Sequence, residues 1–189
     1  MTIPEEFKDF SVAAAGASGA LIGLLFVAVS VFPERGQRNE TRIEYQSRAS
    51  TALVVFTNAL VLSLAFLVPG TTIGGWAIGA ATVMGVFTLA GGRVVVTAVL
   101  RKTGNWRSLT LVAGMLVIVG VQLWAGIRLL FNGGDVDALS LLDYVVIAEF
   151  AVGIARSWQL VNMHDTGLFS SLLLLTRGVQ EEDEKRVES

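Results

Sequence analysis

Five long apolar runs dominate this chain of 189 residues and constrain its fold more than any other feature. A helix needs about 20 mainly apolar residues to cross a hydrocarbon core about 30 Å thick. Within lipid, each run must satisfy its own backbone hydrogen bonds, which favours helices. The sequence therefore predicts an all-α membrane protein, a bundle of five transmembrane helices with spans at about 10–32, 49–69, 74–100, 109–130 and 139–161.

The domain organisation follows from the short hydrophilic connections between these runs. Such connections leave no room for a second folded domain, so residues 1–175 are expected to form a single transmembrane bundle. The apolar segment 168–175 is too short to span a bilayer and is expected to lie at the interface. Residues 176–189 are expected to form a charged cytoplasmic tail.

The distribution of lysine and arginine predicts the orientation in the membrane. When the 33–48 loop is placed inside, twelve of the fourteen basic residues fall on the cytoplasmic side, and only Lys8 and Arg128 do not. Because positively charged loops tend to stay in the cytoplasm, we expect the N-terminus outside and the C-terminus inside.

Small residues on the first span predict a flat helix face. Ala15, Gly19 and Gly23 follow one another at intervals of four and therefore share one side of the helix. Such faces let another helix approach closely. We favour packing within the chain over an oligomer contact as the reason for this pattern.

Neither a catalytic site nor a metal site is predicted. The motif Gly16-Ala17-Ser18-Gly19 resembles the GxSG pattern of rhomboid-type proteases, whose serine needs a nearby base. The only histidine, His164, lies beyond the inner end of span five, roughly 25 Å away along the membrane normal. Cysteine is absent, and His164 has no second ligand at metal-binding spacing. We therefore expect a protein that is not an enzyme, with no cofactor and no nucleic-acid partner.

Glu149 is the most costly charge in the sequence because it lies near the midpoint of span five. An ionised side chain at the bilayer centre costs about 2.5–3.5 kcal/mol on insertion scales. Arg93 of span three is the expected partner, because its long side chain reaches toward the same depth. The pair is either part of a proton or ion pathway or a structural pair that fixes which helices are neighbours.

Other polar residues in the spans are expected to hold helices together. Arg128 and Asp143 lie at similar depth on spans four and five, which predicts an ion pair across the helical hairpin. Asn58 and Gln122 lie near the middle of spans two and four. Buried amides in lipid seek partners on other helices, which makes structural hydrogen bonding their default role.

Three segments carry a resemblance to a known group of proteins: "FSVAAAGASGALIGLLFVAVSV", "SRASTALVVFTNALVLSLAFLVPG" and "GIARSWQLV". They resemble small, mostly actinobacterial integral membrane proteins that often carry the label "modulator of FtsH protease". The resemblance covers the first, second and fifth helices. It implies a bacterial cytoplasmic (inner) membrane protein, and it transfers no functional residue.

Two hypotheses about function follow from these features. The first is a non-enzymatic membrane protein, a modulator or subunit that contacts another membrane protein or a second copy of itself through helix faces. The second is a small oligomeric channel or proton-coupled transporter with Glu149 in the pathway.

Overall fold

The computed structural model describes residues 4–31, 39–100 and 106–160. Within these ranges the chain is entirely helical apart from short turns, and no strand occurs. The five helices are long and apolar enough to cross a membrane, which confirms the predicted all-α architecture. Their bounds are α1 Glu5–Val31, α2 Asn39–Leu67, α3 Ile73–Leu100, α4 Trp106–Phe131 and α5 Val136–Leu160. The predicted interfacial segment 168–175, the tail 176–189 and His164 lie outside the described residues.

The turns between helices have local causes that can be read from the sequence. Between α2 and α3, Gly70 adopts a φ of 76°, a left-handed conformation that favours glycine. Thr71 stabilises this turn, because its hydroxyl donates to the carbonyl of Val68 at 2.7 Å. Before α5, the carboxylate of Asp135 accepts a hydrogen bond of 3.1 Å from the backbone N–H of Ala138. Asp135 is therefore the N-cap of α5.

Helices α2 and α5 form the centre of the bundle. They pack against each other, α3 packs most extensively on α4, and α1 packs mainly on α2 with a smaller contact to α5. Among the described residues, the backbones of α3 and α5 do not come close to each other. Phe56, Leu62 and Leu142 are among the largest fully buried side chains, and they lie on these two central helices.

Two glycines allow α3 and α4 to approach closely. A Cβ atom added at Gly74 would lie 2.6 Å from the carbonyl oxygen of Gly126, and one added at Gly126 would lie 2.8 Å from Ile78 Cγ1. Both distances are shorter than van der Waals contact. The start of α3 and the end of α4 therefore meet nearly backbone to backbone, as small residues permit in membrane bundles.

Candidate functional site

A cluster of three buried polar side chains connects α2, α4 and α5. Asn58 donates a hydrogen bond to Gln122 Oε1 at 2.9 Å and a second, short one to Glu149 Oε1. Gln122 in turn donates to Asn58 Oδ1 at 3.5 Å and to the backbone carbonyl of Ala77 on α3 at 3.1 Å. We call Asn58, Gln122 and Glu149 the polar cluster. Its hydrogen bonds reach four of the five helices.

The side chains of the polar cluster are buried inside the bundle. Glu149 and Gln122 are 0% exposed and Asn58 is 5% exposed. Asn58 lies in the middle of the apolar stretch Arg48–Leu67, which places the cluster at the centre of the bundle. Because an unpaired polar group in an apolar interior is costly, each hydrogen bond here favours one arrangement of helices over others.

The second carboxylate oxygen of Glu149 has a different environment from the first. Oε1 accepts from Asn58, whereas Oε2 is buried and has no hydrogen-bond partner among the described residues. This oxygen is therefore one hydrogen-bonding position of the cluster that no described residue satisfies.

The expected pair between Glu149 and Arg93 is wrong. Arg93 is exposed on α3, and the described backbone of α3 does not approach that of α5. The described partner of Glu149 is the amide of Asn58. The physical reason is the order of the helices, because α3 reaches α5 only through α2 and α4. The sequence predicted that the two residues lie at a similar depth in the membrane. They lie on helices at different positions around the bundle, so they do not meet.

The expected pair between Arg128 and Asp143 is also wrong. Arg128 Nη2 lies 2.6 Å from Asp135 Oδ2, and its guanidinium lies 5.0 Å from the centre of the Trp124 ring. Asp143 is half-buried and takes part in no ion pair that the structure describes. Arg128 belongs to the last turn of α4, so its side chain extends outward to the loop, where Asp135 lies nearer than Asp143.

The small-residue face of α1 points away from the bundle. Ala15 is half-buried, while Gly19 and Gly23 are exposed, and a Cβ atom at either glycine would meet nothing within 4 Å. The buried side of α1 carries Ser11, Ala14, Ser18 and Leu25 instead. The expectation that this face packs within the chain is therefore wrong for Gly19 and Gly23 among the described residues.

Two contacts were not predicted, the hydrogen bond between Asn58 and Glu149 and the ion pair between Arg128 and Asp135. The sequence nevertheless held a signal for each. Asn58 and Glu149 both lie near the midpoints of their spans, so their common depth pointed to a contact. Asp135 follows a glycine pair and lies three residues before Ala138, where the apolar run begins, which is a usual place for a helix N-cap. Arg128 is seven residues before it on the same hairpin.

A lateral cavity of about 630 Å³ lies between α2 and α3 and reaches the polar cluster at Asn58. Its walls include Val61, Trp76 and Val83, and Gly79 leaves one side without a side chain. Trp76 and Val83 are exposed within the apolar stretch of α3, so the cavity opens toward the surroundings of the bundle. Asn58 is thus shared between this cavity and Glu149.

A second polar group lies at the opposite end of α5 from Asp135. Arg156 Nη1 donates to Gln159 Oε1 at 3.1 Å, and Arg48 Nη1 donates to the backbone carbonyl of Gln159 at 3.4 Å. The two guanidinium charges are close enough to repel each other. Gln159 therefore connects α2 near Arg48 with the C-terminal end of α5.

Among the described residues, no group of three histidine or acidic side chains could hold a metal ion. Comparisons of the chain with protein-family models, with curated proteins and with solved structures find no match.

Proposed function

We propose that this protein is a non-enzymatic, multi-pass protein of the bacterial inner membrane that acts as a modulator or subunit through helix contacts. The observation that carries the proposal is the open face of α1 at Gly19 and Gly23. In lipid, apolar burial alone drives helices together only weakly, so close backbone approach at small residues is a main source of helix association. A glycine face without a neighbour among the described residues is suited to a helix of another molecule.

The position of α1 in the bundle supports this proposal. Only 17% of its apolar stretch is buried, compared with 56% of the stretch in α2. A helix that is attached along one side leaves most of its surface for lipid or for a partner. The resemblance of helices one, two and five to proteins labelled as protease modulators points to the same kind of role.

Bulky side chains at the two open glycines are expected to disrupt partner binding without unfolding the protein. In the double variant Gly19→Leu/Gly23→Leu, an added Cβ atom meets no described residue within 4 Å at either position, but the new side chains prevent another helix from approaching. Crosslinking in native membranes followed by mass spectrometry measures which protein is captured, and we expect at least about a fivefold loss of that product, equivalent to about 1 kcal/mol.

Gly120→Leu is the matched control, because Gly120 on α4 is also exposed and open around its Cβ position. This variant is expected to retain the crosslinked product. An equal loss in both variants, or no loss in either, would show that the α1 face is not the contact.

The proposed orientation has the N-terminus outside and the C-terminus in the cytoplasm, as the basic residues favour. The natural chain has no cysteine, so single cysteines introduced at Gly133 and at Gly104 report the side on which each lies. A membrane-impermeant maleimide is expected to label Gly133→Cys in intact cells and Gly104→Cys only after permeabilisation. The reverse pattern would invert the topology.

A further inference from the structure

The inner ends of α2, α3, α4 and α5 surround a cavity of about 390 Å³. Hydroxyl groups and one guanidinium give it polar character, and Val112 and Met115 form an apolar part. Its polar and glycine residues are Ser50, Thr51, Thr88, Gly91, Gly92 and Arg156. No acidic side chain belongs to this described lining.

Arg156 is the residue that defines the chemistry of this cavity. Its Nη1 group donates a hydrogen bond to Gln159. Its Nε atom is buried and has no hydrogen-bond partner in the part of the chain that the structure describes. A buried guanidinium donor without an acceptor is costly, and the repulsion from nearby Arg48 adds to that cost. An anion in the cavity would satisfy the donor and reduce the repulsion.

The depth of the cavity indicates where that anion is attached. Arg48 begins the apolar stretch of α2, and Arg156 lies about one turn before the end of α5. Trp158 at the same end is 57% exposed, as is common for tryptophan at the interface between lipid and water. This is the depth of lipid phosphate groups, and basic pockets between transmembrane helices bind anionic head groups.

We propose that the cavity binds the phosphate group of an anionic lipid, with Arg156 as the main ligand. The guanidinium donates to the phosphate oxygens, because its planar fork matches their geometry. Ser50 lines the same cavity and supplies a hydroxyl donor, and the apolar part of the cavity accommodates the first carbons of an acyl chain. The proposal is independent of the helix contact assigned to α1.

Native mass spectrometry of the purified full-length protein in detergent tests this site. Dioctanoyl phosphatidylglycerol is titrated against dioctanoyl phosphatidylcholine, and we expect stronger retention of the anionic lipid. Arg156→Gln is expected to reduce that preference about fivefold, since one arginine near lipid phosphate contributes about 1 kcal/mol. The control Arg128→Gln removes the same charge at the other end of the bundle and is expected to keep the preference.

A second variant tests the cavity without changing its charge. A Cβ atom at Gly91 would meet nothing within 4 Å, so Gly91→Leu is expected to leave the fold intact while it fills the space beside Arg156. It is also expected to lower the retention of phosphatidylglycerol. Helical circular dichroism shows whether each variant is folded. If Arg156→Gln does not fold, the lipid retention of Gly91→Leu tests the site instead.

These measurements distinguish binding in the cavity from a general attraction of anionic lipids to the positive charges of the protein. Equal retention of the two lipids, or equal losses in Arg156→Gln and Arg128→Gln, would overturn the proposal. Retention of the anionic lipid by folded Gly91→Leu at the natural level would overturn it as well. Inorganic phosphate serves as the competitor: displacement of the lipid at millimolar phosphate would support the anion site but assign it to free phosphate.

Discussion

Asn58→Leu is expected to lower the free energy of unfolding by about 2–3 kcal/mol, a large effect for one residue in a membrane bundle. Asn58 donates to both Gln122 and Glu149, and leucine offers neither hydrogen bond. The substitution leaves acceptor oxygens on two fully buried side chains without a partner. Unfolding by sodium dodecyl sulfate in mixed micelles, followed by helical circular dichroism, measures the change.

Two further variants distinguish the loss of hydrogen bonds from a change in shape. Glu149→Gln keeps an oxygen that accepts from Asn58, so it is expected to cost less than about 1 kcal/mol. The double variant Asn58→Leu/Glu149→Leu removes donor and acceptor together and is expected to recover part of the stability lost in Asn58→Leu. A double variant that is less stable than Asn58→Leu would contradict the role of Asn58 as the partner of Glu149.

The same variants separate a structural role of Glu149 from a role in transport. In proteoliposomes, a proton flux that is present in the natural protein and abolished in folded Glu149→Gln would favour the channel or transporter hypothesis. Equal behaviour of the two proteins is expected if the carboxyl group holds helices together. Oε2 of Glu149 is buried and has no hydrogen-bond partner among the described residues, so it is the atom on which a transported proton would bind.

Gly74→Ala is expected to lower the free energy of unfolding by about 2–3 kcal/mol, because overpacking of a closely packed contact is costly. The added methyl group would lie 2.6 Å from the carbonyl oxygen of Gly126 and 2.8 Å from the backbone nitrogen of Leu130. Both atoms belong to the backbone of α4, so no side-chain rotation relieves the overlap. The helices must separate, and the same detergent titration detects the loss.

Gly79→Ala is the matched control on the same helix. A Cβ atom there has no neighbour within 4 Å, so we expect a neutral or slightly stabilising change. If Gly79→Ala destabilised the protein as much as Gly74→Ala, the loss would reflect the general replacement of glycine in α3 and not the close contact with α4.

Hydropathy predicts the apolar spans but not the residues at which the helices begin. The predicted second span begins at residue 49, whereas α2 begins at Asn39, and the predicted fifth span begins at residue 139, whereas α5 begins at Val136. Apolar runs mark the part of a helix that lies in hydrocarbon, but the helix continues until a turn or a cap ends it. Asp135 provides such a cap at the start of α5.

The residues of the candidate site could be predicted from the sequence, but the contacts between them could not. Each member of the polar cluster is a conspicuous polar residue in an apolar run, so Asn58, Gln122 and Glu149 could be selected from the sequence. Their mutual contacts could not, because a depth estimate leaves the direction of each side chain around its helix undetermined. The same uncertainty produced the incorrect partners for Glu149 and Arg128.

The sequence by itself determined the number, order and approximate position of the helices, since lipid requires every apolar run of about 20 residues to satisfy its own backbone. The tertiary structure alone decided which helices are neighbours and which side of each one is buried. These spans are apolar on almost every side, so hydropathy does not distinguish a lipid-facing surface from a packed one. Only the fit of small residues and buried hydrogen bonds makes that distinction, as the exposed Gly19 and the enclosed Glu149 show.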